Sequence, residues 1–178
     1  MANTTFSGPV ISKNGFIGFG PGMSKAINST GLGAAGLPLT VADHAGRLLI
    51  SQDADGIYAL PSINTNANGA TAGDTDYNNL NNIGATFTFY IDTVATDVQI
   101  ITDGTDKFTG AAMIAVDNGD TKAFFPAAAN DVLSMNGTTT GGIVGSVIQI
   151  TALESAQYLV NNSLILGSGA IATPFSDT

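Results

Sequence analysis

The sequence predicts an all-β fold, an antiparallel β-sandwich or barrel with an extended N-terminal arm. Three observations predict this class. Apolar and polar side chains alternate with a period of two along most of the chain, as they do in half-buried strands. Turn signals recur roughly every ten residues, and no segment sustains the period of about 3.6 residues that marks a helix. A length of 178 residues suits one such domain with an arm.

The first 24 residues are predicted to form the extended arm. Their large apolar side chains are separated by glycine and proline, which break any regular element. Such a segment has no local core, so these side chains need another surface to bury against. A neighbouring subunit is the favoured surface, and an ordinary first strand packed on its own domain is the alternative. The arm residues predicted to make this contact are Phe6, Val10, Ile11, Phe16, Ile17 and Phe19.

Residues 25–36 are predicted to be a flexible linker, because their glycines disfavour a stable helix. The β-domain is predicted to follow over residues 37–178, with a long Asn- and Gly-rich loop at 62–82. The clearest strand covers residues 85–93, in which three large apolar side chains share one face. The predicted strands are residues 37–41, 47–51, 57–60, 85–93, 98–100, 111–116, 122–125, 132–135, 143–152, 158–160 and 164–166.

The composition argues against an enzyme and against a nucleic-acid-binding protein. The chain has 14 acidic and five basic side chains, one histidine and no cysteine, and its net charge is −9. Phosphate binding needs clustered Lys and Arg, whereas the basic residues here are scattered singly. Anionic membranes are disfavoured for the same reason. The N-terminus also lacks the basic and apolar regions of a secretory signal, so we expect synthesis in a cytosol.

His44 is the single histidine and follows Asp43, so a Ser-His-Asp triad has to be considered. The chain lacks the Gly-x-Ser-x-Gly motif, and adjacency in sequence does not place Asp43 where it could orient the imidazole. We therefore expect His44 to be a solvated turn residue. Glu154 is the single glutamate, and we expect a solvated charge there rather than half of a glycosidase pair. No catalytic residue is predicted.

Three acidic turns, at residues 53–56, 103–106 and 117–120, could offer oxygen ligands to calcium. The first does not have the ligand spacing of an EF-hand. Aspartate also closes β-turns through hydrogen bonds to its own backbone. We favour structural turns over calcium sites, and we predict neither a metal site nor a cofactor.

Seven short segments of the chain carry a resemblance to a known family through the order in which they occur. They are Met1–Val10, Lys13–Phe16, Leu39–Gly46, Tyr58–Pro61, Gly84–Phe89, Gly142–Gly145 and Ala172–Phe175. Taken in that order, they resemble small head-associated proteins of tailed bacteriophages, notably marine phages and cyanophages. The chain departs from that pattern at residues 62–82, where such proteins tend to pass quickly to the next strand.

The resemblance implies a capsid decoration, or cement, protein that is made in the host cytoplasm and sits on the outer surface of the phage head. It implies the major capsid protein as partner, and a homo-oligomer, more often a trimer than a dimer. It implies no catalytic residue. The alternative function is a tail-fibre or adhesin-like β-domain that binds a host surface glycan. Sugar stacking would then use Tyr58, Tyr77 or Tyr90.

Overall fold

The computed structural model of the chain describes residues 23–65, 81–117 and 119–177. The all-β class predicted from the sequence is confirmed in these residues. A 3-10 turn lies at Gly33–Ala35, and one turn of α-helix, α1, lies at Val41–His44. In chain order the strands are β1 (Ser24–Ile27), β2 (Leu37–Pro38), β3 (Leu48–Ser51), β4 (Ile57–Ala59), β5 (Thr86–Ile91), β6 (Val98–Ile101), β7 (Lys107–Gly110), β8 (Ala112–Val116), β9 (Thr121–Phe124), β10 (Val132–Met135), β11 (Val147–Glu154), β12 (Gln157–Gly167) and β13 (Phe175–Ser176).

The described strands form a larger and a smaller sheet, which pack together as a β-sandwich. The larger sheet has the order β1-β3-β5-β11-β12-β8-β9, with β7 also paired to β12. The smaller sheet has the order β13-β10-β6-β4-β2. From β1 to β6 the chain changes sheet after every strand.

The sequence predicted antiparallel pairing, whereas the observed pairing is mixed. The alternation of the chain between the two sheets explains the difference. Strands β1, β3 and β5 lie parallel to one another in the larger sheet, and β2, β4 and β6 do so in the smaller sheet. A chain that crosses to the other sheet and back returns in its original direction, so neighbours in each sheet run parallel. Antiparallel pairing appears later, for example in the hairpins β11–β12 and β8–β9.

The core lies between the two sheets and follows from the period-two pattern. In β5, Phe87, Phe89 and Ile91 are buried, whereas the side chains between them face the other way and are half-buried. The smaller sheet contributes fully buried side chains that include Ile100 and Leu133. Each large apolar side chain buried in this way contributes about 1.5–3 kcal/mol before the entropy of ordering is subtracted.

Tyr58 links the two sheets inside the core. It lies on β4 of the smaller sheet, is fully buried, and its hydroxyl lies 2.7 Å from the Oγ of Ser51 on β3 of the larger sheet. Its ring centroid is 6.0 Å from that of Phe89. Burial raises the pKa of Tyr58 to about 12, so the phenol stays protonated as a hydrogen-bonding group. Gly56 leaves room for it, since a Cβ there would lie 2.5 Å from the hydroxyl.

Buried polar groups also hold the segment after β4 against the rest of the fold. The hydroxyl of Tyr158 on β12 donates to the carbonyl of Pro61. The buried carboxylate of Asp106 accepts a hydrogen bond from the backbone N–H of Ile63 at 2.7 Å. Burial, with the nearby charge of Asp103, raises the pKa of Asp106. The loop that leaves β4 is therefore anchored at its start.

The predicted boundary between arm, linker and domain is corrected at residues 24–27. Ser24 was assigned to the arm and residues 25–27 to the linker, yet they form β1, paired in parallel with β3. Burial of Ile27 against the core stabilises this strand. Residues 28–36 do form a loop with a single 3-10 turn.

Other elements also differ from the prediction. The predicted strand 37–41 shortens to β2, and α1 follows because the Oγ1 of Thr40 accepts the N–H of Asp43 at its N-terminus. The strands predicted at 158–160 and 164–166 are one strand, β12, which stays continuous through a positive φ of 42° at Asn162. Strands β7 and β13 were not predicted. Each has only one buried side chain, so its sequence shows no alternation of apolar and polar residues.

Two further predictions lie outside the described residues. The six predicted contact residues of the arm fall within residues 1–22, and most of the predicted 62–82 loop falls within residues 66–80. The division of the chain into an arm and a domain therefore stays a prediction beyond the correction at β1.

We expect Tyr58→Phe to lower the free energy of unfolding by about 1–3 kcal/mol, because it leaves the buried Ser51 hydroxyl without its 2.7 Å partner. Urea unfolding at neutral pH measures this change. Tyr90→Phe is the matched control, since Tyr90 is only half-buried on the opposite face of β5, and it should change stability by less than about 0.5 kcal/mol. Equal stability of Tyr58→Phe and the unchanged chain would contradict the proposed link between the sheets.

Candidate docking surface

The outer face of the larger sheet has a continuous line of apolar side chains. Residues directly opposite each other on paired strands point to the same face, so the strand register shows which side chains lie side by side. One register level can be followed from the β1 edge to the β9 edge without interruption. We call this level the outer row. Across the sheet it contains Ala26, Ile50, Tyr90, Val147, Leu164, Met113 and Ala123.

The outer row is accessible to solvent. Leu164 and Met113 expose 46% and 45% of their surface, while Ile50, Tyr90 and Val147 are half-buried by their neighbours. A line of large apolar side chains that crosses a whole sheet is unusual on a surface that stays in water. It indicates a surface that becomes covered.

No ionisable side chain except Tyr90 lies in the outer row, and none lies in the register level on its Thr88 side, which can be followed from β1 to β12. That adjacent level contains Ser24, Leu48, Thr88, Gln149 and Asn161. Burying a charge costs far more than burying a neutral group. A partner can therefore cover this part of the sheet without desolvating a charged side chain.

Polar side chains on this face already bond to one another along the sheet. The amide of Gln149 donates to Thr88 at 3.3 Å and accepts from Asn162 at 2.8 Å. The hydroxyls of Thr86 and Thr151 lie 2.9 Å apart. Because these hydrogen bonds run within the face, a covering partner does not have to replace them.

The sheet edges, in contrast, are protected against pairing with another chain. At the two ends of the larger sheet, Lys25 and Lys122 share the core-facing side with the buried Leu49 and Ile114. A lysine on that side of an edge strand disfavours the addition of another strand, and so does proline, which has no N–H to donate. The smaller sheet has Pro38 on its β2 edge and the two-residue strand β13 at the other. We infer that contacts use the face of the larger sheet rather than an edge.

The prediction that His44 is solvated is wrong. His44 is 6% exposed at the end of α1, and its Nδ1 accepts the backbone N–H of Thr40 at 3.0 Å. Burial, and then the charge of Lys25, lowers the pKa of His44. Because Nδ1 is used by the backbone, the ring nitrogen that Asp43 would have to orient in a triad is already occupied.

The acidic turns have structural roles where the structure describes them. The carboxylate of Asp103 accepts the N–H groups of Thr105 and Asp106, both at 2.9 Å, and so closes its own turn as predicted. Asp53 instead binds across the fold, to Ser29 N–H at 3.1 Å and to the hydroxyls of Ser29 and Thr30 at 3.3 Å. In the described residues no three His, Cys, Asp or Glu side chains converge as metal ligands.

Those of the remaining candidate residues that the structure describes lie in separate environments. Tyr58 is fully buried, so it cannot stack on a sugar. Tyr90 belongs to the outer row, and Tyr77 lies outside the described residues. Glu154 is exposed at the end of β11, as predicted. Sequence reasoning missed the outer row, although its signal was present as uncharged, partly apolar outward positions in the alternating strands.

Comparisons with known proteins identify no relative. No protein-family model matches the chain, and neither do any curated protein or any solved structure. In the part of the chain that the structure describes, no helix is long and apolar enough to cross a membrane.

We expect the stability of the protein to fall as the pH drops below about 6.5, the pKa of an unfolded histidine. The folded-state pKa of His44 is lowered, so its stabilising contribution is complete above about pH 6.5 and is lost as the pH falls through the folded-state value. Urea unfolding at about pH 7.5 and about pH 5.5 measures the loss.

His44→Gln is the control for this pH dependence, because its amide oxygen can accept the Thr40 N–H without titrating. The variant should show a smaller loss of stability between the two pH values than the unchanged chain does. An identical loss in both proteins would show that another group is responsible.

Proposed function

We propose that this chain is a non-enzymatic structural protein of a tailed-bacteriophage head, a decoration protein that binds the outer capsid surface and bridges capsid subunits. The outer row is the observation that best supports a role in assembly, because it is a surface suited to being covered by protein. It is apolar and free of ionised side chains, and it lies between edges that resist strand addition. The resemblance of the ordered segments from Met1–Val10 to Ala172–Phe175 supports the assignment to a phage head.

The proposed mechanism combines a rigid platform with an apolar arm. The sandwich supplies the platform, and β1 begins directly after residues 1–22, so the arm is joined to the edge of the larger sheet. Phe6, Phe16, Ile17 and Phe19 would be buried on capsid protein. Each could contribute about 1.5–3 kcal/mol, and an oligomer that binds through several arms at once gains avidity.

The net charge of −9 fits this role in two ways. Mutual repulsion opposes nonspecific association between unassembled copies, and an acidic protein is attracted to a basic docking patch on the capsid. The five basic residues are scattered singly along the sequence, so the proposed partners are proteins and not nucleic acid.

The arm contact can be tested with heads assembled without the protein. Deletion of residues 1–20 should abolish attachment, as should the triple substitution of Phe16, Ile17 and Phe19 by serine, because both remove the apolar surface that would be buried. Co-sedimentation with heads and electron microscopy of the particles measure occupancy. Lys13→Ala is the matched control within the arm, and it should leave most of the occupancy intact.

Unchanged occupancy after the deletion would contradict the arm contact. If none of the proteins binds heads, and the unchanged chain binds a host glycan through Tyr77 or the 62–82 loop, the adhesin alternative replaces the proposal.

A further inference from the structure

We propose that the outer row is the contact between two copies of this chain, related by a twofold axis that runs along β11. The inference deepens the homo-oligomer of the proposed function. It is tested on the purified chain without capsids, so its failure is distinguishable from a failure of the capsid proposal.

The order of side-chain sizes along the outer row is nearly symmetric about Val147. Alanine lies at each end, and large apolar side chains lie between. An axis parallel to the strands over β11 would place two copies of Val147 together and reverse the order of strands in the facing sheet. It would oppose Leu164 with Tyr90, Met113 with Ile50, and Ala123 with Ala26. Such pairs satisfy the rule of a twofold contact, in which residue i meets j and j meets i.

The size of the face is sufficient for a pair of copies. Seven strands spaced about 4.8 Å apart span about 29 Å, and five residues along a strand span about 17 Å. Such a face covers about 500 Å² per copy and about 1,000 Å² in total, which is the lower bound for a specific interface. We therefore expect a reversible dimer whose population depends on concentration.

The charge distribution favours a second copy as the occupant. Two chains that each have a net charge of −9 repel each other. They can meet at the outer row and the level on its Thr88 side without bringing carboxylates of those two levels together. Raising the salt concentration screens the remaining repulsion. A contact with a basic partner would weaken under the same conditions, so the direction of the salt effect distinguishes the two cases.

The twofold pair differs from what the resemblance to phage head proteins implies. That resemblance implies a trimer more often than a dimer, whereas the outer row predicts a dimer. The size symmetry of the outer row fits two copies, because a threefold arrangement would bring different surfaces together. Residues 1–22 and capsid protein are the other possible occupants of the face, and the experiment separates them.

The test is sedimentation equilibrium of the full chain between about 1 μM and about 500 μM, at low and high salt. The unchanged chain should form a dimer that strengthens with salt. Leu164→Lys should weaken it at least 100-fold or so, since both copies bury the new charge. Val94→Lys is the matched control: Val94 is 48% exposed in the loop between β5 and β6, whereas Leu164 is 46% exposed. Its association should equal that of the unchanged chain.

Four results would overturn the inference. The first is a full chain that remains a monomer throughout. The second is a Leu164→Lys variant that associates as the unchanged chain does. The third is a trimer mass, which excludes the twofold pair. The fourth is association that appears only after residues 1–22 are deleted, which would mean that those residues cover the outer row. Circular dichroism of both lysine variants confirms that they are folded.

Discussion

The register of the larger sheet is the constraint on which the rest of the structure depends. Its strands alternate with a period of two, so the pairing that buries Phe87 and Phe89 also places Tyr90 on the outside. A shift of one residue in β5 would exchange these faces and expose the phenylalanines. The energy of the core therefore determines which side chains form the outer row. The surface proposed for docking is a consequence of core packing.

The order in which the chain visits the two sheets explains why the face of the larger sheet, rather than an edge, is available for contact with a partner. Alternation between sheets from β1 to β6 builds parallel neighbours and leaves β1 and β2 at the same end of the sandwich. These are the positions where a further strand could add, and Lys25 and Pro38 oppose that addition. An assembly of such units can be finite, because it closes through faces rather than extending strand by strand.

Sequence patterns predicted the elements with strong alternation and missed those without it. β10 was predicted with its observed bounds, Val132–Met135, and β5 lies within the predicted 85–93. β7 and β13 are short, and β1 has one buried side chain, Ile27, so tertiary pairing rather than local pattern produces them. Parallel pairing could not be predicted from the sequence, because side chains alternate with a period of two residues in parallel and antiparallel strands alike.

Among the functional features, too, those set by local chemistry were predicted, and those set by tertiary packing were not. The exposure of Glu154 and the closing of the turn by Asp103 follow from local chemistry. The burial of His44 at the end of α1 depends on tertiary packing, which no local pattern encodes. The outer row required knowledge of register across seven strands, although each strand alone showed its outward positions.

The most direct measurement of the central claim uses the fact that the chain has no cysteine. Val147→Cys introduces one thiol where the proposed twofold axis passes, and a short bifunctional thiol reagent can bridge two facing sheets about 10 Å apart. The account predicts efficient covalent dimers for this variant and few for Val94→Cys, which lies in the exposed loop that leaves the larger sheet between β5 and β6. Equal yields for the two variants, or none for either, would contradict it.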